Sequence, residues 1–136
     1  MSSLIDFLVR LGTILMPIGL IGICIGSIVA PEMGEQAFGV VIPKSETNDN
    51  YYPFHFAAGI RDGALGIMGL LIRFKYPDVL CCFYLCVLLI PVGDLMIVMY
   101  YEDDIIKGIS HILGAIGVVS LIILLSLQTN VKHKKM

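Results

Sequence analysis

Charged residues are scarce in this chain, and the features typical of nucleic-acid-binding proteins are missing. Only 15% of its 136 residues are charged, whereas 57% are hydrophobic, and the mean hydropathy is +0.90. A single soluble domain of this length cannot bury so much apolar surface, so we predict that lipid surrounds most of it. A net charge of −2 and the lack of a basic patch with interleaved aromatic residues argue against a nucleic-acid partner.

Metal-binding and redox motifs are missing as well. The four cysteines lie inside apolar stretches and form no CxxC pair, so neither a disulfide framework nor a thiol redox site is favoured. The sequence also has no HExxH motif and no cluster of cysteine and histidine. We therefore predict neither a metal site nor a cofactor.

Four apolar segments are each long enough to cross about 30 Å of hydrocarbon. They cover residues 4–29, 54–74, 79–100 and 105–127. The first is long, has only a weak cleavage-like sequence and precedes three more, so we interpret it as a retained helix and not as a signal peptide. The predicted fold is all-α, a single four-transmembrane-helix bundle over residues 1–136, with one longer outer-face loop between helices 1 and 2.

The charged residues that flank these segments divide by sign between the two predicted faces of the membrane. The basic residues of one face are Arg10, Arg73, Lys75, Lys132, Lys134 and Lys135. The other face carries Glu32, Glu35, Glu46, Asp49, Glu102, Asp103 and Asp104, with only Lys44 and Lys107. The positive-inside rule places the basic face in the cytosol, so both termini are predicted to be cytosolic.

Four ionisable residues lie inside the predicted spans at a similar depth. Arg61 and Asp62 lie about eight residues, or ~12 Å, from the outer end of the second span. Asp94 and His111 lie about six residues, or ~9 Å, from the outer ends of the third and fourth spans. Three helices are thus predicted to place their strongly polar side chains in one layer.

These four side chains are expected to pair with one another. Each would cost roughly 2.5–3.5 kcal/mol if it faced lipid near the bilayer centre, so we predict that all four turn inward. Arg61 and Asp62 project about 100° apart on a helix and should therefore serve different partners. The expected pairs are Arg61 with Asp94 and Asp62 with His111, or the same groups exchanged.

Two interpretations of this layer remain open. In the first, Asp62, Asp94 and His111 are catalytic and exchange protons as general acid and base, while Arg61 binds and orients a carboxylate or stabilises negative charge. In the second, the layer is a buried ion network that only fixes the register of the helices. The number of ionisable groups, and Pro91, which removes a helix hydrogen bond near Asp94, favour the functional interpretation.

The leading hypothesis is therefore a membrane-embedded binder of a small lipophilic molecule, or an enzyme that transforms one by acid–base chemistry. The alternatives are a non-catalytic scaffold that gathers lipid-modifying enzymes through its glycine faces, and proton-coupled transport by an oligomer. The expected partners are membrane lipids, a lipophilic small molecule, and a second copy of the chain or another membrane protein. A cavity that meets the polar layer would favour the binder or enzyme over the scaffold.

Several short motifs resemble an uncharacterised family of small four-helix membrane proteins, distantly similar to DoxX-type proteins. They are "AFG" at 37–39, "GIRDGALG" at 59–66, "PVGDLMIV" at 91–98 and "SHILGA" at 110–115. The resemblance implies a four-helix membrane fold with the Arg-Asp, Gly-Asp and His elements of that family at Arg61, Asp62, Asp94 and His111. It implies no activity, because none is established for that family.

The final residues, "KHKKM", fit the pattern K-x-K-x-x. This pattern resembles a dilysine retrieval signal of endoplasmic-reticulum membrane proteins, which is recognised in the cytosol and agrees with the predicted orientation. The alternative is a basic end that only follows the positive-inside rule, in which case the cell membrane is the expected location.

Overall fold

The computed structural model describes residues 2–31, 38, 53–102 and 104–133, and it is helical throughout these ranges apart from short turns. The helices are α1 (Ser2–Val29), α2 (Pro53–Lys75), α3 (Leu80–Val87), α4 (Leu89–Glu102) and α5 (Ile109–His133). A 3-10 turn, Pro77–Val79, joins α2 to α3. α3 and α4 follow one another almost directly and together form one rod, so the described part of the chain forms four rods: α1, α2, α3 with α4, and α5. The all-α prediction is confirmed.

Neighbouring rods run in opposite directions, and α1 and α2 make the closest contact. A Cβ atom added at Gly63 would lie 2.6 Å from the Cys24 sulfur, and one added at Gly66 would lie 2.5 Å from the Pro17 carbonyl oxygen. Only glycine leaves room for this approach, which brings the two backbones together as small residues do in membrane helix pairs. The α1–α2 contact places the polar residues of α2 beside the interior of the bundle.

The rods pack tightly at the end where α1 begins and where α2 and α5 finish. The buried apolar cluster at this end consists of Val9, Leu80, Tyr84, Val87, Val118, Leu121 and Leu125. Toward the other end the rods separate around a cavity, which is lined from α1, α2, α3, α4 and α5. The packed end fixes the positions of the helices, and the open end carries the polar layer.

Three of the rods, within the described ranges, are long and apolar enough to cross a membrane. They cover Ser3–Val29, Pro77–Tyr101 and Ile109–Thr129, with mean hydropathies of 2.1, 2.3 and 2.3. Many large apolar side chains on them are exposed, including Leu15, Met96 and Ile116 at 55%, 69% and 57%. A protein with such surfaces is an integral membrane protein, because lipid is the solvent that accepts them. The remaining rod, α2, is helical over 23 residues, but charged residues interrupt its apolar sequence.

The helix boundaries differ from the predicted spans, and two of the differences have a local cause. The third predicted span divides at Leu88 into α3 and α4, one turn before Pro91, whose ring cannot donate the hydrogen bond that would continue the helix. The last helix begins at Ile109 and not at 105, because the Asp104 carboxylate accepts a hydrogen bond from the Ile106 N–H at 2.9 Å and holds a turn there. Residues 32–37 and 39–52, which make up most of the predicted outer loop between α1 and α2, lie outside the described residues.

Candidate functional site

The strongest polar contact inside the bundle joins α2 to α4. The guanidinium of Arg61 binds the Asp94 carboxylate through two hydrogen bonds, Nη1–Oδ1 at 3.1 Å and Nη2–Oδ2 at 2.8 Å. This parallel geometry is the strong, directional form of an arginine–carboxylate pair. The predicted pairing of Arg61 with Asp94 is confirmed.

Arg61 also binds its neighbour in sequence. Its Nε–H donates to Asp62 Oδ1 at 3.0 Å, so the expectation that adjacent residues must serve different partners is wrong. The backbone directions of residues 61 and 62 do differ by about 100°, but the long arginine side chain bends back far enough to meet the shorter aspartate. One guanidinium thus holds two carboxylates.

His111 lies beside Asp94 and does not pair with Asp62 as predicted. Its Nδ1 is 4.0 Å from Asp94 Oδ2, and its Nε2 is 2.8 Å from the carbonyl oxygen of Phe38. The Phe38 ring also packs edge-on against the imidazole, with the ring centroids 4.9 Å apart. Phe38 replaces Asp62 as the hydrogen-bond partner, because Phe38 lies directly beside His111 near the start of α5.

The hydrogen bond to Phe38 defines the tautomer of the histidine. A carbonyl oxygen only accepts hydrogen bonds, so Nε2 must carry a proton and donate it. In the neutral imidazole, Nδ1 then keeps its lone pair and faces Asp94. The proton-accepting atom of His111 is therefore directed at the carboxylate layer.

The four residues Arg61, Asp62, Asp94 and His111, called the polar cluster below, differ in burial. The side chains of Asp94, His111 and Asp62 are 9%, 11% and 14% exposed. Arg61 pairs inward with both carboxylates but keeps 36% of its side-chain surface exposed. Its long apolar stem allows the charged group to reach the carboxylates from the edge of the bundle.

A cavity of about 430 Å³ lies directly against the polar cluster. Asp62, Asp94 and His111 form part of its wall, and Phe38 closes it on one side. The rest of the wall is mainly apolar. Its apolar lining includes Met16, Leu20, Ile23, Leu65, Val87, Ile90 and Val118. This combination of apolar walls and a few convergent polar groups is typical of a small-molecule site, and the volume falls within the usual range of about 300–1,000 Å³.

Two polar contacts in the bundle, one at this site and one at the packed end, were not predicted from the sequence. Phe38 lies in "AFG", one of the motifs that carried the family resemblance, but no periodicity indicated that its carbonyl would bind His111. The sequence also did not indicate a contact at the packed end of the bundle. There the Arg73 Nε–H donates to Thr13 Oγ1 at 2.9 Å, and Thr13 donates in turn to the Val9 carbonyl at 2.6 Å. Thr13 is a single hydroxyl-bearing residue within a long apolar run, and no sequence pattern indicated that it would bind Arg73.

Within the described residues, the groups of histidine, cysteine, aspartate and glutamate do not converge as the ligands of a metal ion would. Asp94 and His111 approach one another to 4.0 Å, but Arg61 already occupies both oxygens of Asp94. The arrangement is suited to hydrogen bonding and proton exchange.

Comparison with known proteins places the chain in a family. Residues 17–125 match the family described as a domain of unknown function (DUF4267), and the chain belongs to that family. The matched range includes all four members of the polar cluster. No curated protein and no solved structure matches the chain. The expectation of an uncharacterised family is confirmed, and the similarity to DoxX-type proteins stays a resemblance of short motifs.

Proposed function

We propose that this membrane protein binds a small lipophilic molecule in the cavity, with the polar part of that molecule at the polar cluster. The observation that carries the proposal is the cavity of about 430 Å³ itself, which meets Asp62, Asp94 and His111 on one side and apolar side chains on the others. An apolar molecule with one polar group matches this division of the wall.

The cavity is also what favours ligand binding over a purely structural role for the layer. A scaffold that uses its buried ion pairs to fix helix register needs those pairs to be satisfied, and it has no need of a void beside them. The cavity is partly open to its surroundings, so a lipophilic molecule can enter it and pack against its apolar wall.

The second candidate function is acid–base transformation of the bound molecule. It is supported by His111 Nδ1, which is unprotonated in the neutral ring and lies 4.0 Å from Asp94 Oδ2 at the cavity wall. In this function His111 and one of the two aspartates exchange a proton with the ligand, as general base and general acid. Arg61 holds both carboxylates in position through its three hydrogen bonds.

We further propose that α2 is a fourth membrane span and that both termini are cytosolic. The support for α2 is its length of 23 residues and its close packing along α1 through Gly63 and Gly66. Labelling of single cysteines at Ser45 and Lys134 tests this orientation, since the two should react from opposite sides. A location in the endoplasmic reticulum is a separate proposal, tested by imaging the chain with Lys132 and Lys134 replaced by alanine.

Filling the cavity tests the binding function. Gly26 lines the cavity, and a Cβ atom added there meets nothing within 4 Å, so Gly26→Phe can place a ring in the void. Gly22 lies one turn earlier on α1 with equally open surroundings but does not line the cavity, so Gly22→Phe is the matched control.

Each protein is extracted with its surrounding lipid in polymer-bounded discs, and small lipophilic molecules that co-purify are identified by mass spectrometry. We expect one species to be enriched with the wild type and with Gly22→Phe and to be lost from Gly26→Phe. Equal recovery from both variants would show that retention does not depend on the cavity, and the proposal would fail. The acid–base function predicts that the wild type converts the recovered molecule and that His111→Gln does not. If the wild type leaves the molecule unchanged, the protein binds it without that activity.

A further inference from the structure

The polar wall of the cavity is built from hydrogen-bond acceptors. We propose, on the premise that the cavity binds a small lipophilic molecule, that this molecule is an amine whose protonated nitrogen donates to His111 and Asp94. The proposal names the chemical class of the ligand, and it rests on three features: the direction of each hydrogen bond at the wall, the distance between two acceptors, and the balance of charge.

Three residues near the cavity already use hydrogen-bond donors within the protein. The Ser27 hydroxyl donates to the Ile23 carbonyl at 2.9 Å, so its oxygen offers only lone pairs to a ligand. The Nε2–H of His111 likewise donates to the Phe38 carbonyl. Arg61 donates three hydrogen bonds to the two carboxylates. It is also absent from the residues that line the cavity.

The carboxylates add further acceptors. Asp62 binds Arg61 through Oδ1, which leaves its Oδ2 as an acceptor. Asp94 Oδ2 accepts one hydrogen bond from Arg61 and keeps a second lone pair next to the histidine. Ser110 also lines the cavity, and a serine hydroxyl can accept as well as donate. A ligand at this wall therefore gains most by donating hydrogen bonds.

The spacing of two acceptors selects a group with more than one hydrogen. His111 Nδ1 and Asp94 Oδ2 are 4.0 Å apart, too far for a direct hydrogen bond. A single atom at about 2.9 Å from each fits between them. An alcohol has one hydrogen and can serve only one of the two acceptors, whereas a primary ammonium group has three and can serve both.

The charge of the cluster selects a cation. Two carboxylates share one guanidinium, so with neutral His111 the cluster carries one uncompensated negative charge beside an apolar cavity. A positive ligand compensates this charge in surroundings where the attraction is poorly screened. A carboxylate or phosphate would add a second like charge and face lone pairs, so neither group is expected at this wall.

The test compares four compounds that share one alkyl chain and differ only in the head. They are a primary alkylamine, an alkyltrimethylammonium salt, an alkanol and an alkanoate. The full chain is reconstituted in phosphatidylcholine nanodiscs with a diazirine-bearing alkylamine as the photoprobe, and competition is measured as loss of labelled protein in intact-mass spectra. Concentrations are expressed per lipid, so that differences in partitioning into the bilayer are corrected.

We expect the amine to compete at concentrations about tenfold lower than the alkanol, as one charged hydrogen bond would give. The trimethylammonium compound has the charge but no N–H, and should compete more weakly than the amine. The alkanoate should not compete. An alkanol or alkanoate that competes as well as the amine would overturn the proposal.

Variants separate failure of this proposal from failure of the binding function. Asp94→Asn should remove the preference for the amine over the alkanol, and His111→Gln serves the same purpose if Asp94→Asn does not fold. Gly26→Phe should abolish competition by every compound, whereas Gly22→Phe should not. If Gly26→Phe abolishes labelling but the amine competes no better than the other compounds, only the proposed ligand class is wrong. If Gly26→Phe leaves labelling unchanged, the proposed binding function is wrong.

Discussion

Arg61 and Asp94 hold α2 and α4 together beside the cavity, and a double-mutant cycle measures how strongly. The single changes are Arg61→Gln and Asp94→Asn, both of which keep polar side chains of similar shape while removing the charge. The pair forms two parallel hydrogen bonds at 3.1 and 2.8 Å, so we expect an interaction free energy well above that of an ordinary contact between membrane helices.

The magnitude follows from the number and type of bonds. One neutral hydrogen bond between membrane helices contributes about 0.6 kcal/mol, and a charge-assisted bond is roughly twice as strong. Two such bonds therefore predict a coupling of about 2 kcal/mol. The 36% exposure of Arg61 allows some screening by water or lipid headgroups, so this value is an upper estimate.

The free energy of unfolding is measured for the four proteins of the cycle in bicelles by steric trapping, which keeps the lipid environment constant. The control cycle uses Arg73→Gln with Asp94→Asn, because Arg73 lies on the same helix but donates to Thr13, ~18 Å along the axis from Arg61. That cycle should be additive within about 0.5 kcal/mol. A coupling between Arg61 and Asp94 no larger than in the control would refute the pairing as a source of stability.

Three further predictions concern the close helix contact at Gly66 and the buried hydroxyl groups of Tyr84 and Thr13. Gly66→Ala should lower the free energy of unfolding by about 1–3 kcal/mol, because its Cβ would meet the backbone of α1, whereas Gly22→Ala, with open surroundings, should change it by less than about 0.5 kcal/mol. Tyr84→Phe should raise it by about 1 kcal/mol, because the Tyr84 hydroxyl is buried without a partner among the described residues. Thr13→Val should lower it by about 1–3 kcal/mol, because Arg73 loses its acceptor, and Thr13→Ser should restore it.

All three are measured in the same bicelle assay, and each has an outcome that contradicts it. Equal effects of alanine at Gly66 and Gly22 would mean that α1 and α2 are not in close contact. A loss of more than about 1 kcal/mol from Tyr84→Phe would mean that the hydroxyl has a partner in the membrane-embedded protein. Failure of Thr13→Ser to restore stability would mean that the methyl group of Thr13, and not its hydroxyl, matters at that position.

The sequence alone was enough to predict the helices, their apolar character and the grouping of Arg61, Asp94 and His111 at one level of the bundle. Hydrophobic segments of about 20 residues predict helices in lipid, because every backbone group must be satisfied within the segment. The rise of 1.5 Å per residue then converts sequence position into depth. This is why Arg61 and Asp94 could be paired before any contact between α2 and α4 was known.

Tertiary structure alone decided which partner each polar group has and whether a void lies beside them. Depth is set by rise along one helix, but rotation and separation are set by packing between helices, which depends on contacts such as Gly66 against Pro17. Side-chain flexibility allowed Arg61 to reach Asp62, and the position of Phe38 gave His111 a carbonyl partner. The cavity also depends on packing between helices: the rods are close together at one end of the bundle and leave a space at the other, which no local sequence pattern records.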